Sequence, residues 1–341
     1  MQAVVVREHG GFDKLLVEQL PTPEPGPAEV RIKIAAVGLN HLDTWVRRGV
    51  PGHQFPLPLI LGSDGAGTVD AVGEGVTAAA AGDEVIVLPG LSCGTCDSCQ
   101  SGHDQLCADY GVLGETRDGC CAESVVVPEA NVAPKPPSLD FQSAASFSLT
   151  FQTAWSMLRR ARLQAGETVL VQGAGSGVGT AAVQIARFLG AEVIATAGTD
   201  AKCQAALDLG ANHAICYEQQ DFVAGVREIR GRSGVDVVFE HVGASTFDGS
   251  IRCLTRGGRL VTCGATTGGE VQLSLHRLFF KNLSVIGNTM GTRDDALEVI
   301  RLAGSGSLRP VVDRVLPMAE VHLAHELLES RSVFGKIVLT P

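Results

Sequence analysis

Two different hydrophobic patterns divide the chain near residue 130. Before that point, short apolar runs are broken repeatedly by glycine and proline. No long helical pattern interrupts these runs, so the first part of the chain is predicted to be a compact, irregular β domain. Three prolines within residues 131–137 continue neither a helix nor a strand ladder, so this segment is predicted to be a linker. The predicted strands are 30–36, 65–72, 84–88 and 124–127.

From residue 167 onward, apolar strands alternate with amphipathic helices. This alternation indicates an α/β domain in which a parallel sheet is covered by helices on both faces. Two further helices and a last strand, which is predicted to return to the first domain, end the chain. The predicted strands are 168–172, 193–196, 213–217, 235–240, 259–263, 283–288 and 336–339, and the predicted helices are 178–189, 201–209, 246–254, 293–303 and 320–329.

Composition narrows the class of protein. The chain has 341 residues, of which 45% are hydrophobic and 19% charged, and this balance is typical of a folded globular protein. Its formal net charge of −10 argues against nucleic acid or an anionic membrane as the main partner. No apolar run reaches the length of a membrane span, and the first residues lack the pattern of a secretory signal. We therefore expect a cytoplasmic protein that acts on a small molecule.

A glycine-rich turn follows the strand predicted at 168–172 and precedes a helix. Small residues there allow a pyrophosphate to approach the backbone, and the helix N-terminus stabilises its charge. A glycine string by itself also fits a plain strand–helix connection, and the register of the G-x-G-x-x-G motif is ambiguous here. In this position the turn predicts dinucleotide binding by Gly173, Ala174, Gly175, Ser176, Gly177, Val178 and Gly179.

The end of the next predicted strand indicates which dinucleotide is bound. An NAD site requires a carboxylate there for the ribose hydroxyls, whereas this chain has Ala197 and Gly198, which leave room for a 2′-phosphate. Thr199 offers a hydroxyl and Lys202 a positive charge, and both groups suit phosphate. In the alternative interpretation, Lys202 is a solvated residue at a helix start and Asp200 is only its N-cap. The pattern favours NADP(H).

Four of the ten cysteines, Cys93, Cys96, Cys99 and Cys107, lie close together in the sequence. Four thiolates from one loop complete a tetrahedral zinc shell and leave no position open for a substrate. The spacing therefore predicts one structural zinc per subunit in a lobe at residues 91–109. The alternatives are an iron–sulfur cluster or two disulfides. A reducing cytoplasm argues against the disulfides.

The order of these parts resembles the zinc-containing medium-chain alcohol dehydrogenases and their quinone and enoyl reductase relatives. The resemblance covers essentially the whole chain. It implies a GroES-like, β-rich catalytic domain, a Rossmann domain with a doubly wound parallel sheet, and a cleft between them. It also implies a homodimer or homotetramer in which the strand at 283–288 is the edge strand. The expected domains are 1–150 with 290–341 for the GroES-like domain and 151–289 for the Rossmann domain.

The resemblance fails at the catalytic zinc. Zinc alcohol dehydrogenases hold that metal with two cysteines and a histidine, but this chain has Asn40 and Ser63 at the first two positions. The third region, 144–155, contains no cysteine, and Leu42 replaces the hydroxyl residue that begins the proton relay of those enzymes. Asparagine and serine are poor zinc ligands. A displaced zinc site remains an alternative, with candidate ligands His41, Asp43, His53 and Asp64.

Without that metal, the chain resembles NADPH-dependent quinone and enoyl reductases more closely. The resemblance places Asn40 and Thr153 beside the nicotinamide, and it places Lys202 and Tyr217 on the 2′-phosphate. We expect polar groups near the nicotinamide from Asn40, Asp43 and Thr153, although Asp43 and Asp64 fit equally well as hydrogen-bond hubs. Further cofactor contacts are expected from His41, Val242, Gly243, Gly264, Ala265 and Lys336.

The leading hypothesis is zinc-independent hydride transfer from NADPH to an enone, an enoyl thioester or a quinone, because conjugation spreads the negative charge that a metal would otherwise stabilise. One alternative is an alcohol dehydrogenase or carbonyl reductase with an unusual metal site. Another is a protein that binds NADPH without catalysis. The sequence does not name the substrate or the proton donor.

Overall fold

The computed structural model describes the whole chain, from Met1 to Pro341. Its strands are β1 (Gln2–Val6), β2 (Leu16–Gln19), β3 (Glu29–Gly38), β4 (Leu59–Ile60), β5 (Asp64–Val72), β6 (Glu84–Val87), β7 (Gly90–Leu91), β8 (Gly111–Val112), β9 (Ser124–Pro128), β10 (Val132–Pro134), β11 (Thr168–Val171), β12 (Glu192–Ala197), β13 (His213–Cys216), β14 (Val235–Glu240), β15 (Leu254–Thr262), β16 (Ser284–Gly287), β17 (Val312–Pro317) and β18 (Lys336–Thr340). Its α-helices are α1 (His41–Arg48), α2 (Asp97–Gln100), α3 (Phe141–Ala144), α4 (Ser148–Arg160), α5 (Gly177–Phe188), α6 (Asp200–Asp208), α7 (Phe222–Arg230), α8 (Phe247–Cys253), α9 (Leu275–Phe280), α10 (Arg293–Gly304) and α11 (Val321–Glu329).

The chain forms two compact units. Unit 1 contains Met1–Leu149 and Thr292–Pro341, and unit 2 contains Thr150–Gly291. These limits differ by only one or two residues from the domain limits expected from the sequence. The first boundary falls inside helix α4, so the transition between the units is a continuous helix.

Unit 1 is built around strand β3. Its longest sheet has the order β10-β6-β5-β3-β18-β17, and β9 pairs with β3 as well. Along β3 the buried residues Val30, Ile32 and Ile34 alternate with more exposed ones, as a strand with one face on the core requires. The predicted strands at 30–36, 65–72, 84–88 and 124–127 correspond to β3, β5, β6 and β9.

Both ends of the chain contribute to the core of unit 1. Strand β18 pairs antiparallel with β3, with Leu339 opposite Val37. Val321 and Ile337, from the C-terminal segment, are fully buried in the same hydrophobic cluster as the N-terminal strands. The predicted return of the last strand to the first domain is therefore observed.

Unit 2 contains a six-stranded sheet in the order β13-β12-β11-β14-β15-β16, and every pairing in it is parallel. Parallel strands need crossover connections, and the five helices α5, α6, α7, α8 and α9 provide them. This strand order is that of a doubly wound dinucleotide-binding sheet. It confirms the doubly wound parallel sheet of a Rossmann domain, which the sequence led us to expect in this part of the chain.

Two sequence-based interpretations were wrong. The supposed linker at 131–137 is structured, because Val132–Pro134 forms strand β10 and pairs with β6 at the edge of the sheet. An edge strand tolerates proline since one side of its backbone needs no partner strand. The first part of the chain also contains a helix, α1, which begins directly after Asn40.

Helix α4 was missed for a different reason. Its polar residues Ser148, Gln152 and Ser156 recur at helical spacing, but they are buried together with the apolar residues around them, so α4 has no exposed polar face of the kind that marks a surface helix. No helix in either unit is both long enough and apolar enough to cross a membrane.

Candidate functional site

The four clustered cysteines lie in the loop between β7 and β8, and α2 forms part of this loop. Their Sγ atoms all lie within 4.8 Å of one another. The Sγ–Sγ distance is 3.5 Å between Cys96 and Cys99 and 3.9 Å between Cys93 and Cys99. A tetrahedral zinc with Zn–S bonds of about 2.3 Å requires sulfur atoms about 3.8 Å apart, so the four residues fit this metal. The distances are too long for a disulfide.

Local hydrogen bonds prepare Cys93 to act as a thiolate. The backbone N–H groups of Thr95 and Cys96, together with the Thr95 hydroxyl, lower the pKa of the Cys93 thiol to about 6. Thiolates are the form in which cysteine binds a metal. A metal held by all four thiolates would have a filled coordination shell, with no open position for catalysis.

We expect Cys99→Ser to reduce bound zinc from about one atom per subunit to near zero, because three remaining thiolates hold zinc more weakly than four. The thermal unfolding midpoint should fall with it. Metal analysis by mass spectrometry checks the first effect. Cys203→Ser serves as the control, since Cys203 is a buried cysteine of unit 2 outside this cluster. Equal zinc content in both variants would contradict the assignment.

A second polar group of unit 1, which we call the Asp64 cluster, consists of Asn40, Asp64 and Lys336. Asp64 is fully buried, and Lys336 and Asn40 are only 3% and 6% exposed. The Lys336 ammonium donates to Asp64 Oδ2 at 2.9 Å and to Asn40 Oδ1 at 2.6 Å. The Asn40 amide nitrogen donates to Asp64 Oδ2 at 3.0 Å and to the Gly38 carbonyl at 3.3 Å. The Asp64 cluster thus binds together α1, β5 and β18.

Asp43 holds the start of helix α1 beside this cluster. One carboxylate oxygen accepts from the Asn40 backbone N–H at 2.7 Å, and the other accepts from the Gly62 N–H at 2.9 Å. The side chain is fully buried. These contacts give Asp43 the role of a hydrogen-bond hub, and we revise its expected place among the groups near the nicotinamide.

Lys336 and Asn40 also differ from what the sequence predicted. Lys336 was expected to contact the cofactor, but its ammonium is buried in an ion pair with Asp64. Both hydrogens of the Asn40 carboxamide nitrogen are donated inside unit 1, so this nitrogen has none left to offer a ligand. The carboxamide oxygen already accepts from Lys336.

The residues at the catalytic-zinc positions do not fit a zinc ion. The Asn40 carboxamide is held by a lysine ammonium, and the Ser63 hydroxyl is fully buried without a hydrogen-bond partner. At the third region, the backbone N–H of Leu149 donates to Asp64 Oδ1 at 2.7 Å. Asp64 therefore receives its positive partner from the chain itself, and no thiolate or imidazole is available at these positions.

Burial raises the pKa of the Asp43 carboxyl to about 6. The folded value lies above that of an unfolded aspartate, about 3.9, so ionisation of Asp43 opposes folding. Its contribution to stability is therefore complete below about pH 4 and is lost as the pH rises through about 6. We expect the unfolding free energy of wild type, minus that of Asp43→Asn, to fall by about 2 kcal/mol between pH 4 and pH 7.

Urea denaturation of both proteins at several pH values measures this difference. Because zinc binding and all other titrations are common to the two proteins, they cancel in the comparison. Parallel stability curves across this pH range would show that Asp43 has an ordinary pKa.

The glycine turn of unit 2 has the geometry expected for a pyrophosphate. Gly173 has a φ of +58°, and a Cβ on Gly179 would lie 2.4 Å from the Gly173 carbonyl oxygen, so both positions require glycine. The Ser176 hydroxyl caps α5 by accepting from the Gly179 N–H at 2.9 Å. Helix α5 has 12 residues, and its N-terminus presents N–H groups and a positive dipole end at this turn.

His241 directly follows β14 and contacts this turn, and the sequence had placed it in the segment 241–243 on the cofactor side of the sheet. Its Nε2 atom is 2.8 Å from the Gln172 carbonyl oxygen and 3.3 Å from Ser176 Oγ. Since a carbonyl only accepts, Nε2 carries the proton. Burial lowers the pKa of His241, which keeps the ring neutral. The neutral ring therefore stabilises the turn through hydrogen bonds and adds no charge to it.

At the end of β12, the structure brings together the residues predicted for a 2′-phosphate. Ala197 ends the strand, and the Tyr217 N–H donates to its carbonyl at 3.0 Å. A Cβ on Gly198 would lie 2.8 Å from the Tyr217 hydroxyl, so glycine lets this ring approach. Thr199 caps α6 by accepting from the Lys202 N–H.

One carboxylate is near this place, that of Asp200 in the first turn of α6. Gln219 Nε2 donates to both of its oxygens, at 3.0 and 2.9 Å. Asp200 lies three residues beyond Ala197, the last residue of β12, and its carboxylate is engaged by Gln219.

The remaining predicted residues belong to two groups. Val242 and Gly243 follow β14, and Gly264 and Ala265 follow β15, so all four lie at carboxyl ends of parallel strands, where such sheets bind ligands. Thr153 is buried in α4, and its hydroxyl is 3.9 Å from the Met290 sulfur. His41 is the first residue of α1 and belongs to unit 1 with Asn40 and Lys336, whereas the other predicted cofactor residues belong to unit 2.

Comparison with known proteins agrees with this geometry. Residues 26–137 match the alcohol dehydrogenase GroES-like domain, and residues 177–305 match the zinc-binding dehydrogenase domain. Acryloyl-coenzyme A reductase of Metallosphaera sedula is 32% identical over 344 residues, which cover 100% of both chains. NAD-dependent alcohol dehydrogenase of Saccharolobus solfataricus is 31% identical with the same coverage. Quinone oxidoreductase of Rattus norvegicus is 30% identical and covers 99% of this chain and 97% of its own.

Solved structures show the same similarity. A structure of an NAD-dependent alcohol dehydrogenase is 48% identical, with a TM-score of 0.96 and 100% coverage of both chains. A thermostable alcohol dehydrogenase from Pyrobaculum aerophilum, solved with cobalt and zinc, is 36% identical, with a TM-score of 0.92 and coverage of 100% and 99%. A crotonyl-CoA carboxylase/reductase in complex with NADP is 26% identical, with a TM-score of 0.92 and coverage of 100% and 94%.

Proposed function

The chain belongs to the medium-chain dehydrogenase/reductase superfamily and is an oxidoreductase of that type, and from this premise we propose that it uses NADPH to reduce an activated double bond without a catalytic zinc. The substrate class is an α,β-unsaturated ketone or acyl thioester, or a quinone. The observation that carries the proposal is the Asp64 cluster, because a lysine ammonium and an asparagine amide lie where a metal enzyme needs thiolate and imidazole ligands.

Without the thiolate and imidazole ligands of a catalytic zinc, different reactions become feasible. Reduction of a simple ketone builds negative charge on one oxygen, and a Lewis-acid metal or an acid must stabilise it. In an enone, an enoyl thioester or a quinone, conjugation spreads this charge over several atoms. A few hydrogen bonds then suffice, and a proton from solvent or a side chain completes the reduction. A bound nicotinamide supplies the hydride, and the protein's contribution is to position the reactants.

The names of several relatives support this substrate class. Acryloyl-coenzyme A is an α,β-unsaturated acyl thioester and a quinone is a conjugated diketone, and reductases of each are about 30% identical to this chain over nearly its whole length. Alcohol dehydrogenases are equally similar, so an enzyme of alcohols or aldehydes with a displaced metal is the second candidate.

The end of β12 supports NADPH as the cofactor. Ala197 provides no carboxylate, Asp200 is held by Gln219, and Lys202 and Tyr217 lie at the same strand end. Phosphate recognition by a lysine and hydroxyl groups at such a strand end is physically favourable. The 48% identical structure is named NAD-dependent, so the proposal requires the two nucleotides to be compared directly.

The proposal includes a homodimer or homotetramer. Strand β16 lies at the edge of the unit 2 sheet and pairs only with β15. An edge strand presents unpaired backbone groups, and a second copy can extend the sheet through them. Val285 on this strand is 40% exposed, which provides apolar surface for such a contact.

We expect purified protein to oxidise NADPH with a quinone, an enone and an acryloyl thioester, and not to oxidise simple alcohols. Initial rates at 340 nm with NADPH and NADH side by side measure this preference. Treatment with a mild chelator should leave the activity unchanged, because the predicted zinc is structural and its coordination shell has no open position. Two zinc atoms per subunit, with alcohol oxidation that chelation abolishes, would favour the second candidate. Tight NADPH binding without turnover on any substrate would favour a non-catalytic protein.

A second prediction concerns cofactor choice. Lys202→Ala should raise the KM for NADPH by about tenfold and leave that for NADH nearly unchanged, because only NADPH carries the 2′-phosphate. Ala197→Asp should move the preference toward NADH, since it restores a carboxylate at the strand end. Lys33→Ala, which removes an exposed lysine of unit 1, is the matched control. An equal rise in the KM for NADPH and the KM for NADH in Lys202→Ala would contradict the 2′-phosphate assignment.

A further inference from the structure

Glu240 is a buried carboxylate at the carboxyl end of β14, and its environment is unusual. The residue is fully buried, and its carboxylate accepts hydrogen bonds from N–H and O–H donors instead of forming an ion pair. Its Oε1 atom accepts from the backbone N–H groups of Val242, at 2.6 Å, and Gly243, at 3.1 Å. The hydroxyls of Thr246 and Ser250 donate to it at 3.0 and 2.8 Å. Burying a carboxylate is costly, so these donors are needed to stabilise it.

A chain of hydrogen bonds connects Glu240 to the glycine turn. The N–H of Gly173 donates to Thr196 Oγ1 at 3.1 Å, and that hydroxyl donates to Gln172 Oε1 at 2.8 Å. The Gln172 side-chain nitrogen then donates to Ser250 Oγ at 3.1 Å, and the Ser250 hydroxyl donates to Glu240. Every donor along this chain points toward the carboxylate. Hydrogen bonds aligned in one direction polarise and strengthen one another.

The two ends of this chain are two turns that face the same edge of the sheet. Gly173 opens the glycine turn in a left-handed conformation, with φ of +58°. Gly243 lies in the turn after β14 with φ of +94°, and its N–H is held by Glu240 directly. Strands β11 and β14 are neighbours, so one carboxylate fixes the backbone at the carboxyl ends of both.

We propose that Glu240 is a positioning residue for the dinucleotide. Its carboxylate orders the turn after β14 by direct contact, and it orders Gly173 through Ser250, Gln172 and Thr196. The cofactor then binds to two turns whose conformations are already set, which lowers the entropy cost of binding. This inference rests on the proposed binding of a dinucleotide at the glycine turn.

The sequence offers a direct probe of this network. Gln172–Gly173 is the only Gln–Gly pair in the chain, so protein labelled with carbonyl-¹³C glutamine and ¹⁵N glycine gives a single resolved amide signal, that of Gly173. Glu240→Gln changes the terminal acceptor, and Ser250→Ala interrupts the chain between Glu240 and Gln172. Ser156→Ala is the matched control, because Ser156 is also a buried serine of unit 2 whose hydroxyl donates to a side chain, Asn288, outside this network.

We expect the Gly173 amide proton signal to move in both Glu240→Gln and Ser250→Ala and to stay in place in Ser156→Ala. Fluorescence titration should give a Kd for NADPH about tenfold higher in Glu240→Gln and about threefold higher in Ser250→Ala, reflecting loss of a charged acceptor and of one neutral hydrogen bond. The kcat at saturating NADPH should change less than the Kd, because Glu240 does not touch the reacting atoms.

The outcomes separate the inference from the proposed function. An unmoved Gly173 signal and an unchanged Kd in Ser250→Ala, in protein that binds NADPH as wild type, would overturn the inference alone. Wild-type protein that binds neither NADPH nor NADH would overturn the proposed function, even if the Gly173 signal still moved in Ser250→Ala. If Glu240→Gln does not fold, Ser250→Ala still decides the question because it leaves the contacts of Glu240 with Val242 and Gly243 intact.

Discussion

The ion pair between Asp64 and Lys336 is the interaction on which unit 1 depends. A buried carboxylate is stable only when its charge is compensated, and Asp64 obtains this compensation from residues far apart in the sequence. Lys336 is 272 residues away, Asn40 is 24 away, and the backbone of Leu149 is 85 away. The C-terminal strand must therefore lie beside β3 before Asp64 can be buried. The ion pair thus ties β18, in the segment that returns to unit 1 at Thr292, to the N-terminal part of the same unit.

The same constraint determines what chemistry is possible at these positions. A zinc ion requires ligands that are free to donate electron pairs, whereas the Asn40 carboxamide already exchanges hydrogen bonds with Lys336, Asp64 and the Gly38 carbonyl. A second cation beside the Lys336 ammonium would also be repelled. The cysteine lobe shows the opposite arrangement, because its four sulfur atoms lie together without a basic residue among them. The donor groups therefore fit a metal in the cysteine lobe and do not fit one at the positions that hold the catalytic metal in zinc enzymes.

How much the sequence predicted depends on the range of the interactions involved. The cysteine cluster, the glycine turn and the parallel sheet of unit 2 follow from local spacing and periodicity, and the structure has each of them. Helix α4 was not predicted, and it differs from the predicted helices in being buried on nearly all sides, its polar residues Gln152 and Ser156 included. The hub role of Asp43 was one of the interpretations that the sequence allowed, but the roles of Lys336 and Glu240 could not be predicted for a deeper reason. Each role is defined by contacts between segments, such as Gln172 with Ser250 across 78 positions, and no local pattern encodes them.

The two units solve the problem of a buried carboxylate in different ways, and the difference suits their tasks. In unit 1, Asp64 pairs with a lysine, which produces a rigid and nearly neutral cluster. In unit 2, Glu240 lies at the edge of the sheet where a pyrophosphate is expected, and a bare carboxylate there would repel the phosphates. Spreading the charge over two backbone N–H groups and two hydroxyls reduces this repulsion. The remaining helix N-terminus at α5 is then free to hold the anion.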